Sequence, residues 1–167
     1  TTRGVVPPIH VATTYIRDTD NAYSSGYVYG RPDNATVRDT EAVIATLEEA
    51  QAGALLFASG TAAATACFLA LDPGDHLVAP AVMYWALRKW LLTEGKRRGI
   101  EVDFVETDNL DRLQAAVRPG KTKLVWLETP SNPLWTVTDI EGAARLAHRA
   151  GARLGVDSTC AAPYHTR

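Results

Sequence analysis

The sequence predicts a three-layer α/β domain built on a mainly parallel sheet, and three observations lead there. Short apolar runs near 54–58, 76–80, 101–106, 123–128 and 152–157 alternate with helical stretches near 61–71, 82–98, 109–117 and 139–150. The runs are apolar throughout rather than at every second residue, as in strands covered on both faces. Asp72-Pro73-Gly74-Asp75 and Arg118-Pro119-Gly120 separate them as turns by composition. Strands parted by helices pair in parallel, because each crossover returns the chain to the end of the sheet where the previous strand began.

Taken in order, residues 1–34 contain Pro7-Pro8, several glycines and little periodicity, and read as an extended arm outside the core. Residues 35–167 then form the α/β domain. Its first helix is capped by Asn34 or Thr36, with Asp39 and Glu41 suited to the first turn and Val37, Ile44 and Leu47 as an apolar stripe. The apolar run Ala54-Leu55-Leu56-Phe57-Ala58 reads as a strand leading into Ser59-Gly60-Thr61 and an alanine-rich helix. Lys123-Leu124-Val125-Trp126-Leu127-Glu128 leads into Thr129-Pro130-Ser131-Asn132-Pro133, and Ala152 to Val156 leads into Asp157.

The totals exclude several classes of function. With 167 residues the chain is long enough for a real core, and 46% hydrophobic with 22% charged residues is a globular composition rather than a disordered one. A formal charge of −2 leaves no basic footprint for nucleic acid, and Lys96-Arg97-Arg98 reads as a solvated helix end. No apolar stretch approaches membrane-spanning length, and the first residues lack a signal-peptide pattern. Cys67 and Cys160 are expected to be free thiols in a reducing cytoplasm. The histidines, His10, His76, His148 and His165, show no metal-ligand spacing, so no metal is expected.

Ligands of open α/β sheets bind beyond the carboxyl ends of the strands, where three features gather. Ser59-Gly60-Thr61 opens a helix whose first amides form a cup for a phosphate; the plain alternative is a well-capped strand-to-helix turn. No Gly-x-x-x-x-Gly-Lys-Ser/Thr and no Gly-x-Gly-x-x-Gly pattern accompanies it. Asp157 ends an apolar run, where a carboxylate is costly unless a cation or a set of donors meets it; alternatively it caps the next turn through Ser158 or Thr159. Tyr84 belongs to an aromatic stretch of a kind that is more often core than a stacking platform, and Tyr29-Gly30-Arg31 alone is a turn with a surface arginine. An anion cup, an acid for a cation and a polar loop together describe a site for a charged planar cofactor.

Jointly, these pieces resemble the Cys/Met-metabolism, or trans-sulfuration, family of pyridoxal-phosphate enzymes. The matching residues are Tyr29-Gly30-Arg31 with Asn34-Ala35-Thr36, Leu47-Glu48-Glu49-Ala50, Ser59-Gly60-Thr61-Ala62-Ala63 and Pro73-Gly74-Asp75-His76. They continue with Glu128-Thr129-Pro130-Ser131-Asn132-Pro133, Asp139-Ile140 and Val156-Asp157-Ser158-Thr159, in order along almost the whole chain. The resemblance implies part of the large domain of the aspartate-aminotransferase-like fold. It implies pyridoxal 5′-phosphate as cofactor, and elimination or replacement at Cγ or Cβ of an amino-acid substrate such as cystathionine or an O-acylhomoserine. Gly60 and Thr61, beside Ser59, would hold the cofactor phosphate, and Tyr29 and Arg31 would reach it from a neighbouring subunit of a homodimer or homotetramer. Tyr84 would stack on the ring and help proton transfer, Asn132 would lie near the ring hydroxyl, and Asp157, with Thr159 close by, would pair with the ring nitrogen.

The sequence departs from the family pattern at Trp85-Ala86, where Gly-Gly usually follows the stacking tyrosine, which narrows or reshapes the pocket. Asn34-Ala35-Thr36 and Asp157-Ser158-Thr159 also differ from the usual Asn-Pro-Thr and Asp-Asn-Thr. The family's Schiff-base lysine, in a Ser-x-Thr-Lys segment, and its smaller domain are expected beyond Arg167. Lys89, Lys96, Lys121 and Lys123 do not match that segment, so the chain is expected to be a piece of a longer enzyme. The alternatives are an aminotransferase of the same fold, against which the Glu-Thr-Pro-Ser-Asn-Pro segment and the Tyr-x-Arg arm argue, and a non-catalytic module that binds phosphate or pairs with a full-length subunit.

Overall fold

The computed structural model describes residues 5–161 and 163–166, which fall into two compact units divided between Leu56 and Phe57. In the first, helix α1 (Ala35–Leu47) starts where the Asn34 side chain accepts the Thr36 N–H at 2.9 Å. The arm is tied to that start: the His10 N–H donates to Thr36 Oγ1 at 2.8 Å, and Asn34 Nδ2 donates to the His10 carbonyl at 3.1 Å. It also folds back on itself. Thr14 and Tyr29 form an antiparallel bridge, and a Cβ at Gly30 would stand 2.6 Å from the Ala12 carbonyl oxygen, so only glycine allows that approach. Among its described residues α1 buries none, and the expected stripe leaves Val37 and Leu47 exposed.

The second unit holds strands β1 (His76–Pro80), β2 (Glu101–Val105), β3 (Thr122–Glu128) and β4 (Arg153–Asp157). They pair in parallel in the order β2-β1-β3-β4. Helices α2 (Gly60–Leu69) and α3 (Trp85–Trp90) cover one face, α3 running on into a π-helical segment, Leu91–Gly95. Helices α4 (Leu110–Ala116) and α5 (Ile140–Arg149) cover the other. The strands divide their side chains accordingly: Leu77, Ala79, Leu124 and Trp126 join Phe68, Leu87 and Leu91, while Val78, Val125 and Leu127 join Leu113, Ala143 and Ala147. This is the three-layer parallel arrangement that the apolar runs imply. Among the described residues, no helix is long and apolar enough to cross a membrane.

Two expectations are corrected. Residues 54–58 are not a strand, although their composition is strand-like; Leu55, Leu56 and Phe57 are exposed. A strand exists only where a neighbour completes its ladder, and here the Leu56 N–H donates to Glu41 Oε1 at 2.9 Å instead. The helix expected over 82–98 begins only at Trp85 and widens to π geometry at Leu91, where Thr93 Oγ1 returns a bond to the Lys89 carbonyl at 2.9 Å.

The register of β3 and β4 sets Trp126 beside Gly155 and Glu128 beside Asp157. A Cβ at Gly155 would stand 2.7 Å from the Trp126 ring, so the absence of a side chain there lets the indole lie over β4. Trp126 meets Phe68 edge-on at 5.0 Å between centroids. At the opposite end of the sheet His76 is fully buried. Its Nδ1 lies 2.8 Å from Thr122 Oγ1, which also accepts the Arg118 N–H, and its Nε2 lies 3.2 Å from Asp103 Oδ2. Burial pushes the imidazole below its ordinary range, the Arg118 charge adds to that, and Asp103 and Glu101 oppose it.

Two outcomes are expected. Gly155→Ala should cost about 1–3 kcal/mol in urea unfolding, because the indole has to move. For His76 the folded state favours the neutral ring, so the unfolded chain binds more protons near an ordinary pKa of about 6.5. The stability this group contributes is present above that pH and lost as the pH falls through it. The unfolding midpoint should therefore drop between about pH 7.5 and about pH 5.5, and His76→Gln should flatten that drop.

Candidate active site

A cavity of about 590 Å³ opens at the carboxyl ends of β3 and β4, against the start of α2. It is lined, among others, by Gly60, Thr61, Tyr84, Asn132, Asp157 and Thr159. Six of the residues singled out in the sequence thus share one wall-to-wall space.

Each arrives there for a local reason. Ser59 is the N-cap of α2, and its Oγ accepts the Ala62 N–H at 3.1 Å. That leaves the first-turn amides of Gly60 and Thr61 without acceptors among the described residues. Nothing stands within 4 Å of where a Gly60 Cβ would be, so an anion can approach the backbone there. Ser59 itself serves the helix and does not line the cavity.

Asp157, the last residue of β4, is half-buried and orders the turn after it. Its Oδ1 accepts both the Thr159 N–H at 3.0 Å and the Thr159 hydroxyl at 2.5 Å. Among the described residues its Oδ2 accepts nothing, leaving one carboxylate oxygen for a cation or an N–H. The turn-capping alternative is met by Oδ1, and Oδ2 is left open for the ligand reading.

Asn132 sits on a loop braced by its own bonds. Ser131 N–H donates to the Thr136 carbonyl at 2.9 Å, Trp135 N–H to the Ser131 carbonyl at 2.7 Å and Thr138 N–H to Thr129 Oγ1 at 3.0 Å. Tyr84 is the N-cap residue of α3, partly exposed, its ring 6.0 Å from that of Trp85.

Tyr29 and Arg31 belong to the first unit and pair with each other, Arg31 Nη2 donating to the Tyr29 hydroxyl at 3.0 Å with the guanidinium over the ring. Sequence reasoning missed Glu128, which borders the cavity and accepts the backbone N–H groups of Tyr84 and Asn132. The signal was the one used for Asp157, an acid closing an apolar strand. It also missed Cys67, Trp126 and Cys160 as lining residues. The buried Trp126 indole N–H has no acceptor among the described residues. No group of three or more His, Cys, Asp or Glu among the described residues could hold a metal ion.

The donor set fits a planar cofactor carrying a phosphate at one end and a basic nitrogen at the other: free amides and open space at Gly60, and a carboxylate oxygen to spare at Asp157.

Comparison with known proteins agrees with that chemistry. The chain is 37% identical over 168 residues to human cystathionine gamma-lyase, covering 100% of this chain and 41% of that protein. It is 36% identical over 166 residues to a probable cystathionine gamma-synthase of Herpetosiphon aurantiacus, covering 99% of this chain and 51% of that one. A solved apo structure of a methionine gamma-lyase from Micromonospora echinospora superposes with a TM-score of 0.87 at 40% identity, covering 97% of this chain and 43% of that one. The chain thus spans roughly two fifths to half the length of these relatives. It matches the family described as Cys/Met metabolism PLP-dependent enzymes over residues 1–167, and it belongs to that family.

Proposed function

We propose that the whole protein is a pyridoxal-phosphate enzyme of sulfur amino-acid metabolism, a trans-sulfuration lyase or transferase acting by elimination or replacement at Cγ or Cβ. Its substrate would be cystathionine, an O-acylhomoserine or a similar amino acid. The observation that carries this reading is the pairing, in one cavity, of free amides at the start of α2 with a carboxylate that keeps one oxygen uncommitted. The two free thiols support a reducing compartment, the cytoplasm.

When bound, pyridoxal phosphate supplies an electron sink for negative charge at the substrate Cα. The chain's own residues provide the rest. Gly60 and Thr61 would donate their N–H groups to the phosphate, where the helix dipole would add to the attraction. Asp157 would hold a proton at the ring nitrogen through Oδ2, with Thr159 keeping that carboxylate from turning away. Tyr84 would lie against the ring and take part in proton transfer, and Asn132 would hold the ring hydroxyl side. Trp85, exposed beside Tyr84, stands where the family pattern has glycine and would narrow substrate entry.

The arm, residues 1–34, is assigned to a neighbouring subunit's site, reached by Tyr29 and Arg31 in a homodimer or homotetramer. Arg31 is already drawn out by Tyr29, which limits the entropy lost when it meets a phosphate.

Two measurements on the whole protein test this. Asp157→Asn should leave the unfolding midpoint close to the parent's and lower turnover about a hundredfold, as loss of an electrostatic partner does. Full activity would remove the role given to Asp157. Arg31→Ala should weaken cofactor binding about tenfold. In mixed dimers with an Asp157→Asn chain, the pattern of restored sites should show that the loss falls on the partner's site. Loss confined to the mutated subunit's own site would refute the sharing.

A further inference from the structure

We propose that Glu128 is a positioning residue that holds the ring-side pair Tyr84 and Asn132 in register, an inference that rests on the reading of those two residues given above. Glu128 closes β3 and is 5% exposed. A carboxylate so deep is costly to bury unless donors or a cation meet it. Among the described residues no ion pair reaches it; backbone amides do. Oε2 accepts the Tyr84 N–H at 2.6 Å, and Oε1 accepts the Asn132 N–H at 2.8 Å.

Those two amides come from different connections, one leading into α3 and the other following β3, and both residues line the cavity. One rigid carboxylate, itself anchored on a central strand, therefore sets the separation of two loops. The need is clear at Tyr84. It is the N-cap residue of α3, yet no side chain of its own segment caps that helix. Glu128 meets the first free amide from another strand. Its neighbour across the ladder, Asp157, differs in the decisive respect: Asp157 keeps an oxygen free, while both oxygens of Glu128 are used. Glu128 is thus built to hold protein, and Asp157 to hold a ligand.

The chemistry of the side chain makes the inference testable. Glutamine keeps the shape but offers a single acceptor oxygen, and its NH₂ would face an N–H donor, so one of the two loops is released. Aspartate keeps both acceptors on a stem about 1.5 Å shorter and cannot reach both amides.

The experiment uses the whole protein. In the cofactor-free state of Glu128→Gln, amide hydrogen exchange at Tyr84 or Asn132 should accelerate by about tenfold or more, with exchange in β1 and β3 near the parent's. In the pyridoxal-phosphate-loaded state, kcat should fall about tenfold to a hundredfold, as displacement of a reacting group does. In a background that removes the side-chain group of whichever residue exchange shows to be released, Tyr84→Phe or Asn132→Ala, the same substitution should cost about threefold less or smaller still, since the two changes act through one group. If Glu128→Gln does not fold, Glu128→Asp is taken through the same measurements with the same expectations.

Unchanged exchange at both amides, or an equal loss of kcat in both backgrounds, would overturn the proposal. If Tyr84→Phe and Asp157→Asn leave cofactor affinity and turnover at the parent's level, the reading of the site itself has failed and the proposal falls with it. If they lower both and Glu128→Gln does not, the site stands and only the role of Glu128 is lost.

Discussion

The lateral fit of β4 against β3 determines what the carboxyl edge of the sheet can do. Gly155 has no side chain, so the Trp126 indole lies across the strand and is sealed by Phe68. A side chain at 155 would push the indole away and with it the floor of the cavity. Because parallel pairing fixes neighbours residue by residue, that single contact also sets Glu128 beside Asp157 on the same face. A slip of one residue would send one of the two acids to the α4–α5 face, where Val125, Leu127 and Ala147 leave no room for charge.

Two carboxylates at the ends of neighbouring strands would be a liability if both were left unpaired. The fold resolves this by giving them different company. Glu128 is fully engaged by amides from two loops, a solution that needs no counter-ion. Asp157 is half engaged by Thr159, and its second oxygen borders open space. An oxygen left uncommitted beside that space is open to a cation or an N–H donor.

Much of this was legible in the sequence, for reasons that are themselves local. Ser59-Gly60-Thr61 announces an N-cap and an approachable backbone within three residues, and Asp157 announces itself by ending an apolar run. The alternation of runs and helical stretches is likewise a short-range signal, and it yielded the layers and the parallel pairing of β1 to β4. What failed was long-range. Residues 54–58 have strand composition, but composition cannot supply a ladder partner, and the Leu56 amide bonds to Glu41 instead. The work of Glu128 was hidden because its donors are backbone amides, which every residue possesses and no pattern marks. The folding of the arm around Gly30 and His10 depends on contacts to carbonyls and to Thr36, again invisible to periodicity.

The same distinction explains how the two loops at the cavity are held. The loop carrying Asn132 braces itself through Ser131, Thr136 and Thr138, so it keeps its shape with little outside help. The connection carrying Tyr84 is short, leads into only six residues of α-helix before the π-helical segment, and lacks a cap of its own. A self-braced loop and a weakly braced one cannot stay in register unless a third group joins them. Glu128 is that group because a carboxylate has two acceptors at fixed separation and the strand beneath it is paired on both sides. The precision of the site is therefore set by the sheet, through one buried acid, rather than by the loops that carry the chemistry.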